Sequence, residues 1–224
     1  MIIKTRYILN ILYEDEWIIC INKQSGIPVQ PDKTNDISLL DNIEKHLGFT
    51  PFLINRIDRP VSGIVIFAKS KESAKSFSDV IQNRNTLKTY YVVTENKLKD
   101  QKGTFEDHLI KKNNKAYISK DKTKGKKAIL NYEFEGNSVN YFYYKITIKT
   151  GRFHQIRAQL ANRTCYIKGD VKYGAKRSNK DRSICLHAYS VSFHHPFIKN
   201  QIKITADFPD KNIWNDLKIK NKNI

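Results

Sequence analysis

The densest chemical pattern in this sequence is Asn55-Arg56-Ile57-Asp58-Arg59-Pro60-Val61-Ser62-Gly63, which runs on through Ile64–Phe67 to Ala68-Lys69. One carboxylate, Asp58, lies between two guanidinium groups, Arg56 and Arg59. Nearby positive charge favours the ionised form of an acid. Asp58 is therefore suited to act as a nucleophile or base, not as a proton donor. Taken alone, such a step fits a turn aspartate in a surface ion pair better than a catalytic one. Two further stretches carry reactive groups: Lys88-Thr89-Tyr90, and Thr150-Gly151-Arg152-Phe153-His154-Gln155-Ile156-Arg157.

The elements that must hold these groups are readable from periodicity. Trp17–Asn22 is an apolar strand that follows the acidic turn Glu14-Asp15-Glu16 and ends at the turn signal Lys23-Gln24-Ser25-Gly26. Ser38 and Asp41 form a capping box, and Leu40, Ile43 and Leu47 continue at helical spacing until Gly48. Ile64–Phe67 reads as a buried strand entered from the Asp58 turn. From Ser70 the period changes, and Ala74, Phe77, Val80 and Ile81 mark an amphipathic helix. Leu87–Thr94, rich in Tyr and Val, is a strand that sends Tyr90 and Tyr91 to opposite faces.

Residues 96–127 are polar and basic, with Lys111, Lys112, Lys115, Lys120, Lys122, Lys124, Lys126 and Lys127. They read as a solvated loop or hairpin, or alternatively as an arm that contacts phosphates. Ile129–Phe134 and Tyr141–Thr150 alternate like paired strands, with Asn137-Ser138 near the turn and Tyr144, Ile146 and Ile148 on one face. Gly151 ends that pair, and Phe153, Ile156 and Leu160 define a short helix that carries Arg157 one turn beyond Phe153. Ile184–Phe193 alternates again before Pro196. Interleaved strands and helices with hairpin connections predict an α+β fold with a mixed, mostly antiparallel sheet. No linker divides the chain, so a single domain is expected.

Composition narrows the partner. Forty Lys and Arg against 22 Asp and Glu give a net charge of +18 across 224 residues. Such a surplus favours a polyanion, because each phosphate contact releases condensed counterions. A solvated basic surface in a Lys-rich proteome is the competing reading. Cys20, Cys165 and Cys185 are odd in number and lack short paired spacing, which points to a reducing compartment. Met1–Leu12 has no signal-peptide pattern, and no apolar run approaches the ~20 residues that span a bilayer. A cytoplasmic protein without membrane association is expected.

The segment around Asp58 resembles the signature of the RluA family of RNA pseudouridine synthases. That signature runs His-Arg-Leu/Ile-Asp, a short variable step, Ser-Gly and an apolar strand ending Ala-Lys. Arg56, Ile57, Asp58, Ser62, Gly63, Ala68 and Lys69 match it, while Asn55 stands where the family has His. The similarity continues in the family's order over about residues 10–210. Upstream are Tyr13-Glu14-Asp15 and Ile21-Asn22-Lys23-Gln24-Ser25-Gly26, with Gln24 in place of Pro, and then Val29-Gln30-Pro31, with Gln30 in place of His. Downstream come Lys88-Thr89-Tyr90, Thr150–Arg157, Leu160-Ala161, Ile167-Lys168-Gly169-Asp170, Tyr173-Gly174, Leu186-His187-Ala188 and Phe193-His194-His195-Pro196. The family's N-terminal S4-type domain has no room before the first motif, so a form lacking it is expected.

The resemblance implies an isomerase that breaks the uridine N1–C1′ bond, turns the uracil and joins C5 to C1′. No cofactor or metal is needed. Asp58 would be the catalytic aspartate, by attack at C1′ or by removal of the 2′ proton; both routes stay open. Arg157 would hold that carboxylate ionised and oriented. Tyr90 would stack on the target base. Arg56 would fill the gap left by a flipped nucleotide, since a stacked base hides its reacting atoms. Arg59, Lys88, Arg152, Lys126 and Lys127 are expected to contact the RNA backbone. The implied partner is structured rRNA or tRNA, bound by a monomer. A non-catalytic RNA-binding or RNA-folding protein on the same scaffold is the main alternative. A hydrolytic glycosidase is weaker, because no second carboxylate is marked for it. Cys165, Cys185, His187, His194 and His195 lie in one region without metal-ligand spacing, and the cysteines read as core residues.

Overall fold

A computed structural model describes residues 8–83 and 85–217. Met1–Tyr7, the start of the stretch read as lacking a signal peptide, lie outside the described residues. In chain order the elements are β1 (Ile11–Glu14), β2 (Ile18–Lys23), α1 (Leu39–Leu47), β3 (Phe52–Leu53), β4 (Ser62–Ala68), α2 (Lys71–Gln82) and β5 (Leu87–Thr94). There follow β6 (Lys102–Lys112), β7 (Lys115–Ile118), β8 (Lys126–Asn137), β9 (Phe142–Ile148), α3 (Gln155–Ala161), β10 (Leu186–His194) and β11 (Gln201–Thr205). Short 3-10 turns occupy Val171–Tyr173 and Asn212–Trp214. The fold is α+β with mostly antiparallel strand pairing. No described helix is long and apolar enough to cross a membrane.

The chain forms two compact units: Met1–Thr86 with Ala188–Asp207, and Leu87–His187 with Phe208–Ile224. In the first unit the strands run β1, β2, β4, β10, with β11 paired to β10 and β3 to β4. β2 and β4 are antiparallel, from Ile18 opposite Ala68 to Lys23 opposite Gly63. Every residue of β4 is buried, as the uninterrupted run Ile64–Phe67 requires. One face, with Ile18, Cys20, Ile64, Ile66 and Ala68, packs with Phe77 and Ile81 of α2. The other carries Ile19, Ile21, Val65 and Phe67, all 1% exposed or less. Both helix starts are closed by the serine capping boxes at Ser38 and Ser70. Gly48, at φ 78°, ends α1 in the left-handed conformation that glycine adopts without cost.

Gly63 is the most confined glycine of this unit. It adopts φ +110°, and a Cβ there would lie 2.2 Å from the Ala188 carbonyl oxygen. The neighbour is backbone, so neither strand has a side chain that can yield. Gly63→Ala is expected to cost more than ~3 kcal/mol of stability. A urea midpoint within experimental error of the wild type contradicts this close approach.

The second unit is an antiparallel sheet in the order β5, β9, β8, β6, β7. Tyr144, Ile146 and Ile148 share a buried face, as the alternation predicts. Tyr91 is 4% exposed and packs edge-on to Phe208, whose ring stacks on Trp214. Tyr90, one residue earlier and on the opposite side, is only half-buried. Residues 102–118, for which loop and hairpin readings were both open, are a true hairpin. Its buried residues Leu109 and Ala116 join Ala128, Ala158 and Tyr173 in a small core that seats α3.

Candidate active site

Asp58 sits on the loop between β3 and β4. The loop is fixed from both ends. Ile57 and Val61 bury their side chains at 8% and 2% exposure, and the Val61 N–H donates to the Asp58 carbonyl at 2.9 Å, closing a turn. Asn55, the departure from the family signature, ties the loop to β4. Its amide donates to the Ile64 carbonyl at 3.3 Å and accepts from the Ile66 N–H at 2.7 Å. An asparagine side chain can make both bonds at once, so the change from His leaves the loop anchored. Asp58 itself is half-buried, and Arg56 is exposed.

Beside Asp58 lies a residue to which the sequence reading gave no role. Lys23, the last residue of β2, is 1% exposed. Its ammonium donates to the carbonyls of Gln24 and Ile27, both at 2.9 Å, and of Arg59 at 3.2 Å. These bonds fasten the 24–27 turn to the Asp58 loop, and a reciprocal pair between Gly26 and Arg59 at 2.8 Å adds to them. Burial depresses the Lys23 pKa to about 7. The negative charge of Asp58 opposes this shift, and the charge of Arg59 adds to it. The motif Lys-Gln-Ser-Gly was legible, but the burial of its lysine was not.

The depressed Lys23 pKa has a measurable consequence. An unfolded lysine holds its proton to ~10.4. Between pH 7 and 10 the unfolded chain therefore binds more protons than the folded one at this position. The contribution of Lys23 to stability then rises with pH across that window, by up to ~1.4 kcal/mol per unit, and is flat below it. In Lys23→Met this slope is expected to vanish, so the wild type should gain stability relative to the variant from pH 7 to 10. Parallel stability–pH curves would contradict the assignment.

Arg59, expected on RNA, also binds within its own chain. Besides the Gly26 carbonyl it binds Thr34 at 2.8 Å, Asp32 at 3.3 Å, and Asp36. The ion pair with Asp36 raises its pKa above the usual arginine value. The guanidinium thus clasps the 26–36 segment, a use that depends on tertiary structure and that the flanking position did not reveal.

In the second unit, α3 has only seven residues, too few to be stable alone. Gln155 braces its start. The Gln155 Oε1 accepts from the Thr150 hydroxyl at 2.8 Å and the Arg152 N–H at 3.0 Å, and its amide donates to the Ile129 carbonyl at 3.1 Å. His154, at φ 51°, turns the chain into the helix. Arg157 is 5% exposed. Its Nε and Nη2 donate to the two carboxylate oxygens of Asp170 at 2.7 and 2.8 Å, and the Tyr173 ring lies 4.9 Å from its Cζ. Such a planar double bond fixes the direction of the guanidinium. The resemblance paired Arg157 with Asp58. The bidentate partner within its own unit is Asp170, which the Gly169-Asp170 motif contained but to which no role was given.

The remaining expected contacts lie at or near the surface of the second unit. Lys88 is half-buried, and burial lowers its pKa. Arg152 is exposed and donates from Nε to the Lys127 carbonyl at 2.9 Å. Lys126 is exposed, and Lys127 pairs with Glu106 at 2.6 Å, an exposed pair of small energetic weight. The three cysteines are free and buried. Burial pushes their thiols up, Cys165 to about 11.

Comparison with known proteins identifies relatives of this chain. A family model described as RNA pseudouridylate synthase matches residues 17–162. Ribosomal large subunit pseudouridine synthase C of Buchnera aphidicola subsp. Schizaphis graminum is 30% identical over 230 residues, covering 96% of this chain and 72% of that protein. The tRNA pseudouridine synthase C of Vibrio parahaemolyticus is 26% identical over 233 residues, covering 93% of each. Human RNA Pseudouridylate Synthase Domain Containing 4 has a solved structure that superposes with a TM-score of 0.76 at 19% identity, over 93% of both chains, and so shares the fold.

Proposed function

The chain belongs to the RNA pseudouridylate synthase family, and from that premise we propose that it isomerises particular uridines of ribosomal or transfer RNA, with Asp58 as its catalytic aspartate. The observation that carries the residue assignment is the construction of the Asp58 loop. One carboxylate is held on an over-anchored turn, half-buried and within the field of the buried Lys23. A reacting group needs such fixed geometry and fixed charge around it.

The chemistry follows from the groups present. The target uridine is extruded from its helix, because stacking hides C1′ and C5. The Asp58 carboxylate acts at the ribose while the N1–C1′ bond breaks. The freed uracil turns, C5 bonds to C1′, the C5 proton leaves, and N1 ends protonated. The product has the composition of the substrate, so water and redox partners play no part. Tyr90, half-buried on β5, offers a ring to the turning base, and stacking of this kind contributes ~1–3 kcal/mol. Arg157, held in direction by Asp170, supplies the cation that supports the reacting carboxylate. Arg56, exposed beside Asp58, fills the space the nucleotide leaves. Arg59, Lys88, Arg152, Lys126 and Lys127 take phosphates, and Arg59 also clasps the loop. The protein is taken to act in the cytoplasm as a monomer.

RNA tritiated at uracil C5 separates this reading from its rivals. Release of tritium to water is the expected result. Free uracil would indicate hydrolysis. RNA binding without either product would indicate a scaffold without catalysis.

A further inference from the structure

The hairpin β6–β7 carries a feature that the reaction does not use. Its tip is a two-residue turn, Asn113-Asn114, with φ of 48° and 54° at successive residues. Such turns match the strand twist and make a stiff ribbon. One side of the ribbon is fastened down. The Ala116 N–H donates to the Tyr173 hydroxyl at 2.7 Å, and the Lys172 ammonium donates to the Asn114 carbonyl at 2.6 Å.

The hairpin also carries charge. Between His108 and Lys127 eight lysines face one acid, Asp121. Among the described residues, Lys111, Lys112 and Lys115 are in no ion pair. Two of them rest on aromatic rings instead, Lys111 at 4.6 Å from Phe153 and Lys115 at 4.9 Å from Tyr173 and 5.5 Å from Tyr117. Tyr117 is 43% exposed. Like charges on a rigid ribbon repel one another, and a polyanion relieves that repulsion. An ammonium already positioned by a ring loses less freedom when it meets a phosphate than a solvated one does. The exposed tyrosine face adds a platform for a base.

We propose that the tip of this hairpin, with Lys111, Lys112, Lys115 and Tyr117, docks the sugar-phosphate backbone of the substrate RNA and stacks one unpaired base on Tyr117. The proposal rests on the RNA-modifying function above and assigns the surface that finds the substrate. It lies against α3, the helix of Arg157, through Phe153 and Tyr173.

The test compares two triple variants of equal charge loss. One is Lys111→Gln, Lys112→Gln, Lys115→Gln; the other is Lys71→Gln, Lys75→Gln, Lys203→Gln, at exposed positions of the first unit. Protein-free rRNA and tRNA transcripts, tritiated at uracil C5, serve for both binding and turnover. The hairpin triple is expected to raise Kd and KM about tenfold or more at physiological salt. The slope of log affinity against log salt should fall by about two, at ~0.7–0.9 per lost contact. Its kcat at saturation should stay within about twofold of the wild type, as should every constant of the other triple. A hairpin triple that behaves like its control overturns the proposal. So does a defect seen only on RNA already assembled with proteins, which would assign the surface to a protein partner.

If the triple is misfolded by circular dichroism, acetylation of the wild type decides. Bound RNA should shield Lys111, Lys112 and Lys115 but not Lys71, Lys75 and Lys203, and equal reactivity overturns the proposal. RNA binding that depends on the hairpin, without tritium release, would sink the isomerase reading and support the docking surface. Wild-type Kd and KM for the hairpin triple, with tritium released, would do the reverse.

Discussion

Asp58→Asn should reduce pseudouridine formation by more than about 10⁴-fold while RNA affinity stays within about threefold. A nucleophile or base that is removed outright leaves only binding and positioning to act, and losses of that order are typical. The replacement is close to isosteric. The turn it occupies is closed by a backbone bond, from the Val61 N–H to the Asp58 carbonyl, which asparagine keeps. Affinity is expected from phosphate contacts distributed over lysines and arginines, and losing one negative charge near them does not weaken these. The one local change is at Lys23, which loses the charge that opposed its depressed pKa. Tritium release under single-turnover conditions measures the rate, and filter binding on the same RNA measures affinity. A parallel fall in both would make Asp58 a structural residue. A wild-type rate would move the chemistry elsewhere.

Much of this architecture was legible because local signals and tertiary structure agree. The capping boxes at Ser38 and Ser70 start the helices they predict, and Leu87–Thr94 is β5 to the residue. The hairpin of β6 and β7 was less legible. Its strands bury little on one side, so the alternation of Phe105, Leu109 and Ala116 is masked by lysines that stay in water. β1 and β11 escaped for a related reason: each is short, and its pairing partner supplies the evidence for it. The candidate site divides in the same way. Asp58, Tyr90 and Arg157 carry motif signals, since the roles proposed for them fix residue type. Lys23, Asp170 and the clasp made by Arg59 depend on which carbonyls and carboxylates come together across tens of residues. No spacing rule encodes that.

The pair formed by Arg157 and Asp170 is where stability and activity can be separated. The two side chains are 6% and 1% exposed. Removing one member of a buried pair takes a buried counter-charge from the other, at a cost of about 3–5 kcal/mol. Asp170→Ala should therefore lower the melting temperature by roughly 10 °C for a chain of this size. Replacing both residues with methionine removes both charges at once, so most of that loss should return. Activity should not follow. Two carboxylate oxygens of Asp170 hold Nε and Nη2 of Arg157, and the double variant has no cation to direct.

Asp170→Asn tests the orientation alone. It preserves shape and offers one good acceptor in place of two, so kcat should fall by about 10²-fold with KM nearly unchanged. That pattern marks an interaction needed in the transition state and not in binding. If the double methionine variant recovered activity together with stability, the pair would be scaffold only, and the support of Asp58 would have to come from the first unit, where Lys23 is the buried cation in its field.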